Sequence, residues 1–129
     1  MKNTIPLPIK LFGGFVALFG LIFAFSSYFN PTQIAPAADM TDPATRLAYY
    51  TVGATVLGLS LGLFLAIFSN RPKSMALMLI VRTFVALLDL TNALILGLGI
   101  GLVAFQSMLI ILGAVSIVKL FNIIQQAEK

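Results

Sequence analysis

Long apolar runs alternate with short polar or glycine-rich breaks along this chain. The first run covers about 9–29, follows Lys2 and Lys10, and contains no charge. At about 1.5 Å of helix rise per residue, about 20 residues cross a ~30 Å hydrocarbon layer, so the run can span a membrane. A secretory signal shares its basic-then-apolar profile, and Ala24-Phe25-Ser26 resembles a cleavage site, but the apolar run is longer than such signals carry. A polar connection, 30–45, follows with Pro31, Pro36, Pro43, Asp39 and Asp42. Asp42 before Pro43 predicts a helix start, a carboxylate cap followed by proline in the first turn. The second span is expected over 47–68. Ser69–Ser74 (SNRPKS) breaks the pattern at Pro72, and a third span is expected over 75–96. Gly97–Gly101 (GLGIG) predicts a tight turn; it lacks the spacing and the preceding strand of a dinucleotide loop. The fourth span is expected over 102–124, with Lys119 near its end. The pattern predicts an all-α fold, one integral membrane domain over 1–129 built as a four-transmembrane-helix bundle.

Composition agrees with that assignment and narrows the chemistry. The 129 residues are 60% hydrophobic and 9% charged, with a mean hydropathy of +1.05, whereas soluble domains carry about 25% charged residues. Such a chain could not hide its apolar surface in one core of this size. There is no cysteine and no histidine, which removes disulfides, thiolate metal sites and the commonest general base and metal ligand. No cofactor and no metal site are predicted. The net charge of +4 comes from Lys and Arg in separate short segments, which does not make a nucleic-acid surface. Those charges instead orient the bundle. Lys2, Lys10, Arg71, Lys73, Lys119 and Lys129 fall on one side and only Arg46 on the other, which predicts both termini in the cytoplasm.

The second span carries Ala54, Gly58, Gly62 and Ala66 at four-residue spacing, with GLSLG a literal GxxxG. Small residues on one stripe allow close backbone approach, which drives helix association in lipid. The stripe serves packing inside the bundle or, alternatively, homodimerisation. The eleven Phe are read as lipid-facing and packing surface.

Val81–Asn92 (VRTFVALLDLTN) places Arg82 and Asp89 in the third span. A charge at mid-bilayer costs about 2.5–3.5 kcal/mol, so each needs a partner or an escape. Seven residues return to nearly the same helix face but separate the two by about 10 Å of rise, which disfavours a direct salt bridge. Arg82 can snorkel toward the cytoplasmic head groups as a lipid or structural anchor. Asp89 lies past the midplane. Thr51 and Thr55, Gln106 and Ser107, and Thr91 and Asn92 are expected near its depth, with Tyr49 and Tyr50 closer to the surface. Asp89, Asn92, Thr55, Gln106 and Tyr50 are therefore the candidate ligand-binding set. The competing reading makes Asp89 a protonated or singly hydrogen-bonded contact between helices.

Four short spans, a proline-containing outer connection, a Gly-rich second helix (VGATVLGLSLGLFLA), the SNRPK turn and a third helix with Arg and Asp together resemble the DoxX-like small bacterial membrane proteins. The resemblance covers nearly the whole chain and rests on layout. It implies a multi-pass protein of the bacterial inner membrane. Some members are associated with quinone or respiratory chemistry and others are accessory subunits; no activity is carried over to a chain without Cys or His. Small multidrug transporters share the size, but they rely on a carboxylate in the first helix, which is uncharged here.

Three functions follow as expectations. The first is an accessory or scaffold subunit that associates with itself or a larger membrane complex through the Ala54–Ala66 stripe. The second is a binder or transporter of a small or lipid-like molecule at a polar site around Asp89. The third, a lipid-modifying isomerase using Asp89 with Tyr49 or Tyr50, has few residues to work with.

Overall fold

The computed structural model describes residues 4–30, 32, 39–97 and 99–128. Lys2, Lys129, Pro31, Pro36 and Leu98, which entered the charge count, the outer connection and the GLGIG turn, lie outside the described residues. The described residues form α1 (Leu7–Phe29), α2 (Pro43–Ser69), α3 (Pro72–Leu96) and α4 (Ile100–Glu128). All four are long and apolar enough to cross a membrane, and no strand occurs among the described residues. At most 33% of any span's apolar window is buried inside the chain. The remaining apolar surface faces outward, and lipid is the solvent that accommodates it. The protein is a small integral membrane four-helix bundle.

Local chemistry sets the helix ends. The Asp42 carboxylate accepts from the Thr45 N–H at 3.3 Å and the Thr45 hydroxyl at 2.8 Å, and Pro43 occupies the first turn. The Thr45 hydroxyl, then its N–H, hold the Asp42 carboxyl below the usual carboxylate range. α2 ends where Asn70 turns left-handed (φ 54°) and its N–H donates to Ala66 and Ile67 carbonyls. Pro72 then opens α3. α3 ends at Gly97, whose φ of 67° suits a residue without Cβ.

The helices associate as two close pairs, α1 with α2 and α3 with α4, while α2 and α3 meet more lightly. The α1 seam is made of small residues. Gly13, Ala17, Gly20, Ala24 and Ser27 are all buried and recur at alternating four- and three-residue spacing, which keeps them on one helix face. A Cβ at Gly20 would collide with the Ser60 hydroxyl, and one at Gly53 would press on Ser27 and Tyr28. In the second pair Gly113 gives the same close approach to Thr83.

One end of the bundle is the more tightly packed. The Ile5 N–H donates to Asn70 Oδ1 at 3.1 Å, and Lys73 pairs with Glu128 at 3.1 Å. The start of α1, the α2–α3 turn and the end of α4 therefore gather together. The exposed Lys73–Glu128 pair marks this placement more than it stabilises it. The core lies toward this Arg71 end, with Ile5, Ile9, Leu63, Ala66, Met75 and Leu79 nearly inaccessible. Toward the Gly97 end, α3 buries only Ala86 and Ala93 beyond Leu79.

Candidate binding cleft between the helix pairs

The looser contact between the two pairs leaves a cleft. Its deeper part is a cavity of about 230 Å³ walled by Phe15, Phe19 and Phe23 of α1, Arg82 and Asp89 of α3, and Phe105 and Gln106 of α4, with Val56 of α2. A second cavity of about 450 Å³ adjoins it toward the Gly97 end, where α2 contributes Thr51 and Thr55 and α3 contributes Asn92. Phe23, Val56, Asp89, Leu102 and Gln106 line both. Asp89 and Gln106 thus stand where the two spaces meet.

Helix direction explains the shared depth. Asp89 lies seven residues from Leu96 and Gln106 six from Ile100, each about 9–10 Å of rise from the α3–α4 turn. α1 presents its aromatic wall because Phe15, Phe19 and Phe23 recur every four residues. Phe19 reaches across the cleft to Phe105, ring centroids 5.4 Å apart and tilted. That contact joins the two pairs where their backbones do not approach closely.

The polar groups of the cleft are incompletely paired. Gln106 is 8% exposed, and its Oε1 is buried with no hydrogen-bond partner. A buried amide oxygen left without a donor costs about 1–3 kcal/mol. Asp89 is exposed to the cleft, and Lys73–Glu128 is the only ion pair among the described residues, so Arg82 and Asp89 are not joined directly. They face the same cavity instead. From Pro72 to Arg82 is ten residues, about 15 Å of rise, so the half-buried guanidinium starts deep in the span. The Thr51 and Thr55 hydroxyls donate to the Leu47 and Thr51 carbonyls of their own helix, at 2.9 and 3.0 Å. Their oxygens keep lone pairs for a donor from the cavity.

The residues singled out in the sequence separate into groups. Asp89, Asn92, Thr55 and Gln106 line one cavity. Tyr50 does not line either part of the cleft; it stacks on Tyr28 at 5.2 Å and borders a shallow pocket with Arg46. Arg82 shares the deeper cavity with Asp89. The small-residue stripe of α2 also divides. Ala66 is buried and Gly62 packs against Met78 of α3, whereas Ala54 is exposed and a Cβ at Gly58 would meet nothing within 4 Å. The aromatic wall was missed among eleven phenylalanines, although the four-residue recurrence of Phe15, Phe19 and Phe23 was its signal.

Comparison with protein-family models, with curated proteins and with solved structures found no match. The architecture is that of small multi-pass membrane proteins in general.

Proposed function

We propose that this protein binds a small amphiphilic molecule in the cleft between its two helix pairs, with the polar group of the ligand held at Asp89 and Gln106. One observation carries the reading: Gln106 Oε1 is buried without a hydrogen-bond partner at the junction of two cavities that Asp89 also lines. Ligand sites are concave and mostly apolar with a few convergent polar groups, and phenylalanine walls with Asp89, Gln106 and Asn92 fit that description. The positive-inside bias supports placing the Arg71 end, and with it both termini, in the cytoplasm of the bacterial inner membrane. The cleft then faces the outer leaflet.

The test is native mass spectrometry of the protein released from mild detergent. The wild type should retain a small molecule that Asp89→Asn and Gln106→Leu lose while keeping their helical content. A wild type that carries only detergent and bulk lipid, indistinguishable from both variants, would sink the proposal.

A second reading, an accessory subunit that docks on a copy of itself or on a larger complex, is favoured by Gly58. Its face is open on the chain as it stands, with Ala54 exposed one turn away. Gly58→Ile should dissociate such an assembly on native gels; an assembly that survives the substitution removes this reading.

A further inference from the structure

We infer that the cleft selects a ligand that is dipolar and neutral overall, with its hydrogen-bond-donating or cationic pole at Asp89 and Gln106 and its accepting or anionic pole at Arg82. The inference rests on the binding reading above and adds the class of ligand and its direction in the cleft.

Arg82 and Asp89 bring one formal positive and one formal negative charge to a single cavity and do not pair with each other. A ligand with a net charge would satisfy one of them and leave the other, together with its own excess, in a low-dielectric surround. A dipolar ligand can satisfy both. Separation comes next. Arg82 and Asp89 are seven residues apart on α3, about 10 Å of rise, and side chains on one helix lean the same way, so the two groups stay apart. Poles on adjacent atoms cannot reach both, whereas poles at opposite ends of a ring can. Direction follows from the acceptors. Gln106 Oε1 needs a donor, Asp89 offers carboxylate oxygens, and the Thr51 and Thr55 hydroxyls beyond them already donate their protons to their own helix and have only acceptor lone pairs to offer. The Gly97 end of the cleft is thus rich in acceptors, while Arg82 at the deeper end is donor-only. Phe15, Phe19 and Phe105 line the same cavity, and their rings suit a flat apolar body.

The experiment uses three probes with one aromatic body: 3-[4-(aminomethyl)phenyl]propanoate, 4-propylbenzylamine and 3-(4-methylphenyl)propanoate, which are zwitterion, cation and anion. Saturable binding of each probe to the protein in neutral detergent is measured by titration calorimetry and by thermal shift. The wild type should prefer the zwitterion at least tenfold over either charged probe. Arg82→Gln should transfer the preference to the cation, and Asp89→Asn should transfer it to the anion. A wild type that ranks a charged probe first, or variants that leave the ranking unchanged, would overturn the inference while leaving the binding reading intact. No saturable binding of any probe to the wild type would overturn both. Gln106→Glu keeps the shape and turns the amide into an acceptor-only, charged group: it should strengthen the cation relative to the anion, and an unchanged ratio would contradict the assigned direction.

Discussion

The seam inside each helix pair and the cleft between the pairs are made from opposite residue types. Inside the first pair, Gly20 lies against Ser60 and Gly53 against Ser27, so the backbones approach closely. Between the pairs, Phe19 and Phe105 meet where the backbones stay apart, and Arg82, Asp89 and Gln106 line the space that is left. In lipid no hydrophobic effect draws one apolar helix to another, so van der Waals contact along a small-residue seam supplies much of the association. A seam of that kind is closed where the backbones meet, and the cleft opens beside it, where Gly20 also borders the deeper cavity. A cleft lined with large rings and polar groups gives up packing and keeps room. The two interfaces therefore differ in content: the seams hold the fold, and the cleft gathers the polar side chains of α3 and α4.

The largest expected effect comes from breaking a seam. Gly20→Leu should cost about 1–3 kcal/mol as an overpacking substitution, read as a lower unfolding temperature in a fixed detergent. If Gly20→Leu melts like the wild type, the α1–α2 seam does not have the role assigned to it. The cleft should respond in the opposite sense. Gln106→Leu replaces an unsatisfied amide by an apolar side chain of similar size, so the ligand-free protein should gain about 1 kcal/mol of stability. A clear loss would mean that Gln106 has a structural partner after all. Because both residues are buried at helix interfaces, contrary signs for Gly20→Leu and Gln106→Leu sharpen the distinction between seam and cleft.

The fold was largely legible in the sequence, because a ~30 Å apolar layer demands long apolar runs and the chain has four of them. The start of α2 was legible too, since Asp42 before Pro43 is a local signal and the cap is a local contact. The close seam was harder to see. GLSLG on α2 draws attention by its motif, yet Gly58 faces open space. The α1 residues Gly13, Ala17, Gly20, Ala24 and Ser27 form no named motif, and only their alternating spacing marks them. Which helices pair is a tertiary property, so a small-residue stripe tells where a close contact is possible and not which neighbour fills it. The same limit applies to the cleft. Depth along a helix put Asp89, Asn92, Thr55 and Gln106 at one level, but rotation about the helix axis decides what faces the cavity, and it turns Tyr50 onto Tyr28 instead. The depth of Arg82 depends on where α3 begins, and Pro72 starts it three residues before the expected span.

Smaller effects test the edges of the comparison. Gly58→Leu should change the stability of the isolated chain by no more than about 0.5 kcal/mol, because nothing stands near the added side chain. A loss as large as that of Gly20→Leu would show that the stripe on α2 is a seam filled by a second copy. The smallest effect belongs to the Asp42 cap. Its carboxyl titrates below the ordinary value of 3.8 because Thr45 donates to the ionised form. The cap's contribution is therefore complete above that ordinary value and is lost as the pH falls through the lower folded value. Asp42→Ala should melt slightly below the wild type at pH 7, and the gap should close in acid. A gap that persists below the folded pKa would assign the difference to something other than the ionised cap.

If the cleft is a binding site, the space between the helix pairs is occupied when the protein works. The most direct measurement is an experimental density map of the wild type purified in mild detergent with its native lipids. Non-protein density is expected in the cleft, against the Phe19 and Phe105 rings and within hydrogen-bond distance of Gln106 Oε1 and the Asp89 carboxylate. A cleft closed by inward movement of the pairs, with Gln106 bonded to a protein group and no density beside Asp89, would contradict it.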